Sequence, residues 1–441
     1  MNLTLEQVTA LAPDSSAAAA GKKLATPSVW RGTGRSAAAL WGECQGTALY
    51  RVRIALPELM AKCSCPSRKF PCKHSLALLF LAVDKPAALP ESAPPSWVTE
   101  WLAKRSQTAE RKEKRKAAVN VPPDPAAQAR RAERRLERVH EGLDALDLWM
   151  HDLVRHGLAA VETQGHALWE TQAARLVDAQ APAVATRVRR MAGIPRSAPD
   201  WPERLLFELG RVALLSHAFR RIESLDAPLQ ADVRQMLGWT VNQDEVAAGG
   251  DVVADDWVVL GQWVDEDERL RVQRSWLRGQ KSAREALILQ FSAGGAPFSE
   301  VIVPGTTIAG ALAFWPGAYP QRAMIARRHG EVLPCRSPLP GHDTIAGFLS
   351  AVAESLARQP WLERFACSLR NVIPVPGDTW HVLDGMGEAL PLRGTDHWRL
   401  LAISAGAPLD LAGEWDGDRL RPLGAWAEQR YEVLWTPRVE T

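Results

Sequence analysis

Apolar and polar positions change their spacing along this chain, and each change predicts a different kind of element. Ala48 to Leu56 alternates with period two, the pattern of a half-buried strand. Ser75 to Val83 is almost unbroken apolar sequence and reads as one short helix. From Ala126 to about Gly238 the spacing is three-and-four: Leu136, Val139, Leu143, Leu146, Met150, Leu153 and Val154 fall on one helical side. Pro182, Pro195 and Pro199 divide that stretch into several helices, and Pro202 suits the first turn of a helix after Asp200. After Gly249-Gly250 the period shortens. Trp257 to Val264, Leu270 to Leu277, Ala286 to Phe291 and Ser299 to Val303 read as strands separated by turns. Ile345 to Leu369 returns to a helical pattern through Leu349, Val352, Leu356, Trp361 and Phe365. Trp380 to Val382, Trp398 to Ile403 and Tyr431 to Trp435 suggest closing strands.

The ends of the pattern are less regular. Asn2 to Leu11 is expected to form a short helix capped by Thr4 or Asn2. Ala17 to Ala20 and Gly32 to Gly34 read as turn-rich connections. Pro86 to Pro95 and Val121 to Pro125 break the periodicity, and Trp97 to Ala118 lies between them as a helix with a basic second half. The fold class that follows is multidomain α+β. Residues 1–85 form a small strand–knuckle–helix unit with its core at 45–83, and 86–125 a Pro-rich and basic linker with a helix. Residues 126–245 form a helical bundle, and 246–441 a β-rich, Trp-containing region with a helix near 345–369.

Chemistry concentrates between the first strand and the short helix. Cys63-Ser-Cys65-Pro-Ser-Arg-Lys-Phe-Pro-Cys72-Lys-His74 places three thiols and one imidazole within a dozen positions. A closed zinc site needs four such ligands in a tetrahedron. Cys63 and Cys65 fall on one side of extended backbone, and Pro66 favours a turn after them. Pro71 holds Phe70 extended before the second pair, which opens the helix, where the N-terminus favours thiolate. The expected cofactor is one structural Zn2+ held by Cys63, Cys65, Cys72 and His74. Cys44 could serve as a spare ligand, but it lies well upstream and reads more readily as a small strand or turn residue. The chain holds six cysteines, so the cluster takes half of them.

The spacing C-x-C-x6-C-x-H followed by an apolar helix resembles the SWIM zinc finger over roughly residues 45–83. The wider layout looks like bacterial SWIM zinc finger proteins, through stretches such as Leu176 to Pro182 and Phe314 to Ala323. The resemblance implies that Cys63, Cys65, Cys72 and His74 are the zinc ligands. It also implies macromolecular recognition, of DNA or of a protein partner, and a scaffold role beside AAA-type ATPases.

Composition bounds the alternatives. The net charge of +2 on 441 residues gives no overall polyanion-binding signature, so any nucleic-acid footprint must be local. No stretch approaches the ~20 apolar residues of a membrane span, and no secretory signal is evident. Few cysteines beside a metal-like cluster fit a reducing cytoplasm. No H-E-x-x-H, G-x-S-x-G or phosphate-loop pattern is present, and Asp255-Asp256 and Asp265 to Glu268 read as hairpin acids, so the chain is not expected to be an enzyme.

Three local features carry two readings each. The basic run Lys104, Arg105, Arg111, Lys112, Lys114, Arg115 and Lys116 suits phosphate contacts or, more commonly, a solvated helix face. Arg51, Arg53, Lys62, Arg68, Lys69 and Lys73 add cations around the knuckle, partly offsetting its thiolates. Phe70 either stacks on a partner or packs beneath the metal, and packing is the commoner use. The Trp residues of the second half are expected in sheet cores.

Overall fold

A computed structural model describes residues 3–46, 48–67, 69–118, 125–163, 165–267, 270–293 and 298–434. Within these, the side chains of 108–118, 125–129, 160, 163, 266 and 267 are not described. Arg68 and residues 121–124 therefore lie outside the description, as do the side chains of Arg111, Lys112, Lys114, Arg115 and Lys116.

The first unit is larger than strand, knuckle and helix. Helix α1 (Leu5–Ala10) starts at Thr4, which forms a reciprocal capping box with Gln7. Helix α2 (Ser15–Leu24) covers the Ala-rich run expected to be a connection: Asp14 caps it by accepting from Ala17 N at 2.7 Å, and alanine is the best helix former. Strand β1 (Trp30–Arg35) includes the glycines expected in a turn. It continues into an antiparallel sheet with β2 (Ala39–Gln45), β3 (Leu49–Ala55) and β4 (Met60–Cys63), in the order β1-β2-β3-β4. Helix α3 (Lys73–Asp84) packs on the inner face of this sheet and against α2. The approach of α2 to α3 is close: a Cβ on Gly21 would stand 2.9 Å from Leu76 Cβ.

The Pro-rich stretch after α3 is tied to the sheet. Arg35 N donates to Pro90 O at 3.0 Å and Ser92 N to Arg35 O at 3.1 Å. Helix α4 (Ser96–Ala118) then lays Trp97, Val98 and Leu102 over Ala39 and Trp41 on the outer face.

The bundle comprises α5 (Pro125–Arg155), α6 (Ala167–Asp178), α7 (Pro182–Met191), α8 (Trp201–Arg220) and α9 (Ala227–Leu237). Proline opens α7, α8 and α9 in the first turn, where its missing N–H costs nothing. Val139, Leu143, Leu146, Met150 and Leu153 of α5 are buried as their spacing requires, whereas Val154 is exposed. Trp361 from the C-terminal region enters the same core and donates from its indole to Arg211 O at 3.1 Å.

After α10 (Gln243–Gly249) come β5 (Asp251–Asp267), β6 (Leu270–Gly279), β7 (Glu285–Ala293), β8 (Thr306–Phe314), β9 (Arg322–Arg328) and β10 (Leu333–Pro334). The order is β10-β8-β5-β6-β7-β9, and β9 also pairs with β8. The sheet thereby closes on itself as a small barrel filled by Trp257, Leu277, Ile288, Ile308, Leu312 and Phe314. Ser299 to Val303, expected as a strand, is irregular: Ile302 and Val303 are buried as plugs, with Ile302 in the barrel and Val303 in the core of the first unit.

The helix expected over 345–369 divides. Helix α11 (Ile345–Arg358) ends near Pro360, and β11 (Phe365–Val375) follows as a strand. Strands β12 (His381–Leu383), β13 (Ala389–Pro391), β14 (Leu409–Trp415), β15 (Leu420–Ala427) and β16 (Arg430–Val433) complete a second sheet, ordered β13-β12-β11-β14-β15-β16. Trp398 to Ile403, expected as a strand, is instead part of helix α12 (Trp398–Ser404), with Leu400 on its buried side and Trp398 exposed. The remaining Trp residues of this half among the described residues are in cores as expected, including Trp276, Trp415 and Trp426, and Trp435 lies outside the described residues. The α+β class with an N-terminal metal unit, a central bundle and a sheet-rich C-terminal region is the class the pattern predicts.

Candidate metal centre

The knuckle hangs between the end of β4 and the start of α3. Cys63 is the last residue of β4, opposite Val52 of β3, so its side chain follows the inner, core-facing side. Cys72 is the N-cap of α3 and His74 lies in its first turn; both are buried. Cys65 sits in the loop between them, where its N–H points at Cys63 Sγ at 3.5 Å. The three sulfurs and one ring nitrogen all lie within 4.8 Å of one another.

That spacing fits one tetrahedral ion. Bonds of ~2.3 Å to sulfur and ~2.0 Å to nitrogen place neighbouring ligand atoms about 3.5–3.8 Å apart. Cys63 Sγ stands 3.8 Å from His74 Nδ1, which identifies Nδ1 as the nitrogen turned toward the sulfurs. The imidazole is held by Tyr50 of β3, whose ring centroid is 4.7 Å away. Cys44, buried in β2 and absent from the group, is pushed up to about 11 by burial and by the nearby Cys72.

The thiols are electrostatically uneven. Cys72 is drawn down to about 3 because Cys63 donates to it, and His74 and Ser75 add further hydrogen bonds despite the burial. Cys63 is raised by that same bond to Cys72, then by burial; Cys65 is raised by burial and by the charge on Cys72. Crowded sulfurs thus settle on one thiolate. A divalent cation among them reverses this balance, since it favours all three thiolates.

The surrounding residues fix the loop. Lys69 Nζ pairs with Asp14 Oδ2 at 2.6 Å, tying the knuckle to the cap of α2. Phe70 is half-buried and packs against the first unit's core, the packing use expected of it. Beside Pro71 it also lines a cavity of about 80 Å³ closed on its other side by Gln262 and Gln273 of the barrel and by Ile302. Asp14 was not singled out from the sequence, and Tyr50, part of the strand that resembles the finger family, was given no role there; the alternation that places Tyr50 on the inner side of its strand, facing the knuckle, was the available signal.

The opposite face of the same sheet is cationic. Arg53 and Lys62 are cross-strand partners, as are Arg53 and Trp41. Arg53 lies 5.5 Å from the ring centroids of both Trp97 and Trp101, Arg51 covers Trp97 at 5.7 Å, and Arg105 covers Trp101 at 5.5 Å. Guanidinium and indole therefore alternate along the seam between β3 and α4. Arg51 also pairs with Glu43 at 2.9 Å.

With this geometry in view, comparison with known families is specific. Residues 50–82 match the SWIM zinc finger model, and residues 134–237 match that of the SWIM-associated four-helix bundle domain. The chain thus carries a SWIM zinc finger whose Cys3His group can hold one zinc ion. No curated protein and no solved structure matches the chain.

Proposed function

We propose that this protein is a zinc-stabilised recognition protein that binds nucleic acid through the outer face of its finger, with Cys63, Cys65, Cys72 and His74 holding a single structural ion. The observation that supports it is the Arg–Trp seam. Lys62 and Arg53 stand on the reverse of the strand end that carries Cys63, so the ion that fixes β4 and α3 also fixes the spacing of these cations. Arg53 is tied inward by a hydrogen bond to Trp97 O at 3.3 Å, while Arg51 and Lys62 beside it are exposed to solvent, where phosphate oxygens are the natural acceptors. Glu43 is the one acid paired with the seam among the described residues.

The test is anisotropy of a labelled DNA duplex with the zinc-loaded chain over a range of salt. Binding is expected at low salt. It should weaken for all sequences alike in Arg51→Gln plus Lys62→Gln, with the slope of log affinity on log salt falling by ~0.9 for each phosphate that is no longer neutralised. No binding at low salt rejects this reading.

A protein partner is then the better one, and one feature favours it: Leu206, Phe207 and Leu214 of α8 stand 52%, 65% and 46% exposed. Recovery of the same protein partners after nuclease treatment would support that alternative.

A further inference from the structure

We infer that the helical bundle carries a second, separate site: an arginine pocket beside Trp239 that binds a compact oligophosphate, such as the di- or triphosphate group of a nucleotide or a free phosphate chain. It does not depend on the finger face binding nucleic acid.

The pocket opens between α5, the loop after α6 and the end of α9, with a volume of about 680 Å³. Arg131, Arg134, Arg135 and Arg138 of α5 line it together with Arg234 of α9 and Trp239. Positions i, i+3, i+4 and i+7 of a helix share one side, so four guanidiniums are presented together. Among the described residues no carboxylate lines the pocket, although Glu137 and Glu141 follow Arg134 and Arg138 at i+3 along α5.

The cations are also short of partners. Among the described residues none of the five arginines makes an ion pair; Arg134 donates to Arg130 O and Arg234 to Gln230 Oε1. Arg135 lies flat on Trp239, 4.2 Å from the ring centroid, and its Nε is buried without a hydrogen-bond acceptor. Burial alone lowers its pKa, with no acid to offset it. Trp239 is held by its indole N–H to Gln180 O at 3.2 Å and by the edge of Phe219, so the floor is rigid.

Like charges gathered around one pocket repel one another, and a multivalent anion among them would relieve that repulsion. Four of the arginines follow one side of α5, and Arg234 of α9 joins them in lining one concavity. Planar guanidiniums suit phosphate oxygens through paired N–H donors. The face of Trp239 is already covered by Arg135, so the pocket reads phosphate and offers no free ring for a base.

The experiment is calorimetric titration of the zinc-loaded full-length chain, without magnesium, with inorganic tripolyphosphate and separately with ATP. Saturable binding near one per chain is expected. Arg131→Gln plus Arg138→Gln, both exposed and outside any core, should weaken it by about tenfold or more, because a hydrogen bond to a charged group is worth at least that factor. Equal affinity for the two ligands identifies a bare phosphate chain as sufficient, and tighter ATP binding identifies a nucleotide. The same variant should melt at or above the wild-type temperature without ligand, since it removes repulsion, and should bind duplex DNA as wild type does. If neither ligand binds, if the variant binds them as well as wild type, or if these arginines matter only for DNA, the inference is overturned. Arg51→Gln plus Lys62→Gln must leave tripolyphosphate affinity unchanged, which separates this site from the finger face.

Discussion

The finger and the barrel touch each other and are held together by opposite means. In the barrel, Trp257, Leu277 and Phe314 are fully buried, β9 closes the sheet by pairing with both β7 and β8, and the core is apolar. In the knuckle, the described residues between Cys63 and Cys72 make no strand or helix, Cys65 is half-exposed, and three sulfurs and an imidazole are gathered together. What the barrel gains from area, the knuckle gains from coordination. The lesson is that the loop between β4 and α3 depends on coordination for its order, whereas the barrel core is built from apolar contacts among its own strands.

Removing the metal should break this comparison most visibly. Structural zinc in small fingers binds with an apparent ~10–16 kcal/mol at neutral pH, all of it coupled to folding. Cys65→Ser, or chelation of the wild type, should abolish stoichiometric zinc and raise amide exchange across β4, the loop and the first turn of α3. The cavity walls at Phe70 and Pro71 should loosen against the barrel, because those residues immediately precede Cys72. The barrel's own strands should keep their protection. Metal analysis with hydrogen exchange reads both outcomes, and one cooperative loss of the whole chain would show that the two regions are not energetically distinct.

Acidity should move the two regions in opposite directions. Zinc needs deprotonated thiols, and Cys63 and Cys65 are raised, so the finger's metal affinity falls as pH falls. In the barrel, burial pushes Glu285 of β7 up to about 7 from 4.5, with Arg278 opposing. The groups in electrostatic reach are Arg278 across the hairpin at 3.4 Å, Tyr319 of the β8–β9 loop and Cys367 of β11. A carboxyl raised in the folded state contributes stability that is fully present below about pH 4.5 and lost as pH rises through about 7. At ~1.4 kcal/mol per pKa unit, the contribution is about 3 kcal/mol at most. Glu285→Gln should therefore flatten the decline in barrel stability between pH 5 and 8, whatever its effect on absolute stability. Urea titrations at those two pH values measure it, and an unchanged pH slope refutes the role of Glu285.

Local signals carried the finger, and long-range ones were needed for the barrel. Four ligands in twelve residues and an apolar run after them are readable because both depend on neighbours in sequence. The bundle's division was readable from Pro182 and Pro202 for the same reason. Helix α2 was missed because Ala17 to Ala20 has no apolar periodicity, although Asp14 is a serviceable cap. β1 was missed because glycines weaken a strand signal that pairing with β2 restores. The division of 345–369 was hidden because Phe365 and Leu369 fit helical spacing as well as they fit alternate positions in a strand. Closure of the barrel rests on β9 meeting both β7 and β8, which no local pattern specifies. The arginine face of α5 was legible as spacing, yet only the fold shows that Trp239 and Arg234 complete it.

The smallest expected effect sharpens the link between the finger's ion-held loop and its apolar core. Asp14 does two things: one oxygen accepts from Ala17 N at 2.7 Å as the cap of α2, and the other pairs with Lys69 at 2.6 Å. The Lys69 bond and the backbone bonds hold its pKa down against burial. Asp14→Asn keeps a side-chain oxygen for the cap and loses the charge, so it should cost no more than Lys69→Met. With Lys69 54% exposed, solvent screening limits that to about 0.2–1 kcal/mol. Asp14→Ala loses the cap as well and should cost roughly 1 kcal/mol more. Asp14→Asn combined with Lys69→Met should add nothing to either alone if they share one interaction. Urea denaturation of the zinc-loaded protein, followed by a probe in the first unit, gives these differences. If Asp14→Asn costs as much as Asp14→Ala, the ion pair, and not the cap, is what anchors α2 to the knuckle.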